Sequence, residues 1–167
     1  KNLTGKYKKY LLSLLWLVVG IYGALCAYLF YMQSVQPLDY NNRYFQSDLP
    51  YHISMIIDDG WYYSFTAYVY QILYRLGGNG TTVIAGFLGV VQVLSVLLTE
   101  RLLRLLLRRE KADALTLSAA LGLNLVMAFF WPYAGQYPYV SYQAGNIWHN
   151  STYQCMKPAA IAAVICY

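Results

Sequence analysis

Tyr10 to Met32 reads YLLSLLWLVVGIYGALCAYLFYM, and this stretch decides the fold. It contains no Asp, Glu, Lys or Arg. A helix of this length reaches about 34 Å, enough for the roughly 30 Å hydrocarbon core of a bilayer with some tilt. The charges stand just before it: Lys1, Lys6, Lys8 and Lys9. The apolar run is too long for the h-region of a cleaved leader, and no small-residue cleavage site follows. It reads as a retained signal anchor.

Outward from this span the pattern repeats. A polar segment, 33–80, follows. A second apolar span runs from Thr81 to Leu98, its helix continuing to about Leu107. A third runs from Ala114 to Trp131, and a second polar, aromatic segment covers 132–158. A fourth apolar run opens at Ala159 and stops at Tyr167, too short to cross, so the chain is expected to continue. The expected fold is therefore an all-α membrane protein with three to four transmembrane helices. It reads as the N-terminal part of a polytopic domain.

Composition agrees. Hydrophobic residues make up 59% and charged residues 11% of the chain, against roughly 25% charged in a soluble domain. The formal charge of +5 is concentrated in two clusters, the N-terminal lysines and Arg101, Arg104, Arg108, Arg109 and Lys111. Each abuts an apolar run, so membrane anchoring explains them and nucleic-acid binding does not. The other side holds Arg43, Arg75 and Lys157. The positive-inside rule then places the N-terminus and the 107–113 turn in the cytoplasm, in a cell membrane, and both long polar segments outside.

The first outer segment has structure of its own. Asp48-Leu49-Pro50 looks like a helix start, capped by Ser47 or Asp48, and Ile53, Ile56 and Ile57 recur at helical spacing. Asp58-Asp59-Gly60 stops that helix. A second helix is predicted over 65–76, ended by Gly77-Gly78-Asn79-Gly80. Both suit helices lying along the membrane surface. The chain has 19 tyrosines, most of them in the outer segments and their borders, where one end of the ring is wet and the other apolar.

Two clusters could carry chemistry. The first is Arg43, Asp48, His52, Asp58 and Asp59. Asp48 and His52 are four apart and share a face on a helix, which suits an acid–base pair. The plainer alternative is an N-cap beside a loop histidine. Asp58-Asp59 suits a divalent cation or a basic group, or simply ends the helix. The second cluster is Trp148, His149, Asn150 and Tyr153. The rings suit stacking on a sugar, and His149 and Asn150 suit hydroxyls or phosphate. The alternative is an aromatic belt with a helix start at Ser151 or Thr152. Lys157, beside the fourth apolar run, could pair with a lipid phosphate or extend toward the interface.

Cys26, Cys155 and Cys166 lack metal-ligand spacing, and Cys26 and Cys166 read as small core residues. Three Asn-x-Ser/Thr triplets, at Asn2, Asn79 and Asn150, are too short a pattern to carry weight. There is no phosphate-cradling loop, zinc motif or nucleophile elbow. Within the three spans the notable polar groups are Gln92, Asn124 and small hydroxyls, which argues against an ion or proton pathway there.

Ser47-Asp48-Leu49-Pro50-Tyr51-His52-Ile53, soon after a first span, resembles the first outer loop of GT-C-type polytopic glycosyltransferases. So does the Tyr-rich run 63–74 with its Gly77-Gly78 break. Trp148-His149-Asn150-Ser151-Thr152-Tyr153 is similar to a W-H-N-P-T-Y motif of bacterial members, with Ser151 where proline is expected. The resemblance implies an inverting transferase that takes a sugar from a polyprenyl-phosphate donor. Asp48 would be the general base, and His52 and Arg43 would orient it or meet phosphate. Some members use a divalent cation and others do not. A transporter or flippase, or a non-catalytic assembly subunit, is the alternative.

Overall fold

The structure, a computed structural model, describes residues 3–37, 49–58, 64–77, 79–129 and 151–167. Every element among them is helical: α1 (Leu3–Ser34), α2 (Leu49–Asp58), α3 (Phe65–Leu76), α4 (Gly80–Leu106), α5 (Ala114–Phe129) and α6 (Ser151–Cys166). α1 and α4 are long and apolar enough to cross a membrane. α5 and α6 include shorter apolar helical stretches, over 114–125 and 154–166.

α4 is the hub, packing against α1, α3, α5 and α6, while α2 rests on α1 and α3. α1 offers Val19, Tyr22, Cys26 and Phe30, spaced three and four apart, so one face enters the core. It meets Ile84, Ala85, Leu88 and Val96 of α4 and Leu117, Ala120 and Leu121 of α5. The two long helices approach closely because glycine lets them. A Cβ on Gly89 would lie 2.7 Å from both the Gly23 carbonyl oxygen and the Ala27 Cβ. Small residues at such a crossing allow tight backbone packing, which gains dispersion energy without needing water to drive it.

The helices begin and end where local chemistry dictates. Ser64 caps α3 by accepting the Ala67 N–H at 3.1 Å, and Asn79 caps α4 by accepting the Thr82 N–H at 3.2 Å. α4 ends in a Schellman turn. The Arg108 N–H donates to Leu105 O at 3.2 Å and the Arg109 N–H to Arg104 O at 2.8 Å. Arg108 takes φ 54°, a left-handed conformation usually given to glycine.

Five residues after Arg108, Asp113 opens α5 with a reciprocal cap. Asp113 Oδ1 accepts the Thr116 N–H at 2.9 Å, and Thr116 Oγ1 accepts the Asp113 N–H at 3.2 Å. The Thr116 hydroxyl also donates to Glu100 Oε1 at 2.8 Å, and Glu100 Oε2 accepts from Arg104 Nε at 2.9 Å. Glu100 is only 4% exposed, so this charge is housed by a cation and a hydroxyl together. The knot ties the end of α4 to the start of α5.

α6 starts at Ser151, the helix start given as the alternative for the second cluster, eight residues ahead of the apolar run from Ala159. One expectation needs revision: Cys26 is buried as expected, but Cys166 is exposed.

Candidate functional site

α2 is positioned by its first residue. Leu49 is fully buried, with Ile53 and Ile56 continuing the same face into the core. Asp48 directly precedes this anchored turn, and His52 stands half-buried within α2. Arg43, Asp48, Asp59, Trp148, His149 and Asn150 lie outside the described residues. Asp58 closes α2 and Tyr153 falls in the first turn of α6, but the description does not extend to their side chains. Whether Asp48 and His52 share a face, and whether the two clusters meet, therefore falls outside what is described.

The second helix of the first polar segment and the helix that begins within the second do meet. Tyr70 of α3 is buried and packs edge-on against Phe87 of α4, ring centres 6.5 Å apart. Its hydroxyl lies 3.5 Å from Cys155 Sγ on α6. A small apolar cleft of about 110 Å³, lined by Phe65, Thr66, Val69, Phe87, Cys155 and Met156, separates α3 from α6. Among the described residues no group of three His, Cys, Asp or Glu side chains is arranged to hold a metal.

Beneath this junction the bundle interior is polar. The Tyr22 hydroxyl donates to Gln92 Oε1 at 3.4 Å, and Gln92 Nε2 donates to Gln154 Oε1 at 3.0 Å. Gln92 and Gln154 are almost fully buried. One turn further along α6, Lys157 Nζ donates to Asn124 Oδ1 at 2.7 Å. Asn124 in turn donates from Nδ2 to Thr99 Oγ1 at 3.3 Å and to Ala120 O at 2.9 Å, which fixes its oxygen toward the ammonium. Asn124 lies ten residues beyond Ala114, about 15 Å along α5.

Sequence reasoning singled out Gln92, Asn124 and Lys157 separately, but not their partners Tyr22, Thr99 and Gln154, and it did not pair Lys157 with Asn124. It also placed Lys157 beside the apolar run, whereas the residue sits inside α6 and turns into the bundle. The signal was available: Gln154 and Lys157 are three apart and share a helix face. Glu100 and Arg104, four apart, were equally legible as a pair. With Glu100 and Lys157 inside the bundle, ionisable groups are present where the apolar runs alone showed none.

No protein-family model matches the chain, and no match was found among curated proteins or solved structures. The structure defines an all-helical bundle, among the described residues, with two helices fit to cross a membrane and a polar interior.

Proposed function

We propose that this chain is an integral membrane glycosyltransferase of GT-C type, moving a sugar from a polyprenyl-phosphate donor to an acceptor hydroxyl at the outer face. In this reading α1, α4, α5 and α6 all cross the bilayer, and α2 and α3 lie at its outer edge. The exposed apolar surface supports a lipid surrounding: Leu17 on α1 is 60% exposed and Val90 on α4 65%, on faces a soluble helix would make polar.

The observation that carries the reading is the contact of Tyr70 with Cys155. It joins the helix leading out of the first polar segment to the helix entered from the second, the two segments that hold the motif residues. The buried Leu49 supports a fixed position for the turn that Asp48 precedes.

The chemistry assigned is a single displacement. Asp48 takes the proton of the acceptor hydroxyl, the acceptor oxygen forms a bond to the anomeric carbon, and the bond from that carbon to phosphate breaks. Polyprenyl phosphate leaves with the electron pair, and configuration inverts. Arg43 is the cation assigned to the charge that builds on phosphate. Lys157 is engaged deeper in the bundle, where it donates to Asn124. Trp148, His149, Asn150 and Tyr153 are assigned to the sugar, His52 to orienting the base, and Asp58 and Asp59 to a basic group or a divalent cation.

A second reading, a transporter or flippase, is favoured by one specific observation. Lys157 and Glu100 are ionisable groups inside the bundle, and such groups mark pathways in membrane proteins. The full-length protein in lipid nanodiscs, given a polyprenyl-phosphate-linked sugar and a hydroxyl acceptor, separates the two. Release of polyprenyl phosphate coupled to acceptor glycosylation supports the transferase. Movement of intact donor between leaflets of proteoliposomes without release supports transport and rejects it.

A further inference from the structure

We propose that the basic end of the bundle holds a binding cleft for one anionic phospholipid, set between the first turns of α1 and the start of α5. The inference rests on the membrane reading but not on the glycosyltransferase reading. A cleft of about 430 Å³ opens there, lined by Lys8, Lys9, Leu11 and Leu12 of α1 and by Ala112, Asp113, Ala114 and Leu115. Its composition is ordered along α1. The two exposed ammoniums form one end, and Leu11 and Leu12 follow about one turn further into the bundle. Leu115 provides a facing apolar wall and is exposed. Charge followed by aliphatic surface is the order of a phospholipid headgroup and its acyl chain.

The electrostatics favour a net negative headgroup. Asp113, the one acid lining the cleft, is already engaged: Arg109 pairs with its Oδ2 and the Thr116 N–H with its Oδ1. Glu100 nearby is held by Arg104 and Thr116. Lys6, Arg101, Arg108 and Lys111 are further exposed cations in the segments that flank the cleft-lining residues, against the exposed Glu110. Basic pockets between membrane helices recognise anionic headgroups in this way. A zwitterionic lipid would bring its own cation against Lys8 and Lys9. Free phosphate would satisfy the ammoniums but leave Leu11, Leu12 and Leu115 uncovered, so the lipid is the occupant the whole cleft fits.

The test uses the detergent-purified full-length protein, native mass spectrometry, and phosphatidylglycerol or phosphatidylcholine as probes. The expected result is retained phosphatidylglycerol in preference to phosphatidylcholine. Removing the lysines in Lys8→Gln/Lys9→Gln should weaken retention by about fivefold for each lysine. Ala112→Trp, which fills the cleft and keeps every charge, should abolish retention. Arg108→Gln/Lys111→Gln, which removes equal charge away from the lining, should leave at least most of it. Circular dichroism on each variant separates a lost site from a lost fold. Equal loss from both charge pairs, indifference to Ala112→Trp, or displacement of lipid by millimolar inorganic phosphate would each overturn the proposal. A protein that stays dispersed without detergent would instead reject the membrane reading beneath it.

Discussion

Lys157 donates to Asn124 across the α5–α6 contact at 2.7 Å, about 15 Å from the start of α5. The carboxamide is itself held in place by Thr99 and Ala120, so three helices are pinned at one point. Asn124→Leu removes the acceptor and leaves a charged group to be housed without it. A loss of about 2 kcal/mol is expected, and the Lys157→Met/Asn124→Leu double variant should recover part of it. Unfolding in detergent measures the cycle. Strict additivity would mean that the two side chains do not couple.

The knot at the other end makes a second prediction. Thr116→Val keeps the shape of the residue but removes the hydroxyl that donates to Glu100 and accepts the Asp113 N–H. About 2 kcal/mol of stability should be lost, from one buried hydrogen bond and half of a cap. Glu100→Gln should cost at least as much, because its single amide oxygen can accept from Thr116 or from Arg104 but not from both. Thermal unfolding of both variants ranks them.

Asp113 gives the acid dependence of that turn a definite sign. The Thr116 backbone N–H, with Arg109 beside it, holds the Asp113 carboxyl below the ordinary carboxylate value. A carboxyl more acidic in the folded state stabilises the fold above its unfolded value, and that contribution fades as pH falls through the folded one. The stability advantage of wild type over Asp113→Asn should be present at neutral pH and decline below about pH 4. An advantage that grew on acidification would contradict the assignment.

The crossing of α1 and α4 separates two kinds of glycine. Gly89→Val forces a side chain into Gly23 and Ala27, and should cost about 3 kcal/mol or prevent folding. Gly20→Ala meets nothing within 4 Å and should be close to neutral. Expression and unfolding of the two variants check the contrast.

Much of the fold was legible because long apolar helices announce themselves by composition. The apolar run 10–32 lies within α1, and the run 81–98, with its extension to about 107, matches α4. α2 and α3 follow from Pro50, the isoleucine spacing and the glycine break at 77. The start of α6 at Ser151 was offered only as an alternative, for a physical reason. Gln154 and Lys157 face inward, so the first turns read as polar loop, and Pro158, with no N–H to donate, lies inside the helix. The polar interior was hidden. Gln92 and Gln154 are 62 residues apart, and Asn124 and Lys157 are 33 apart, so only the packed bundle brings each pair together. Apolar runs reveal where spans lie, while their few polar side chains acquire meaning only from what they face.

The central claim is tested most directly by sugar transfer with Asp48→Asn in the full-length protein, using a polyprenyl-phosphate-sugar donor in membranes. The change keeps size and removes the base. The account predicts a loss of at least about a hundredfold, with donor binding and fold retained. Activity near that of wild type would contradict it and take Asp48 out of the mechanism.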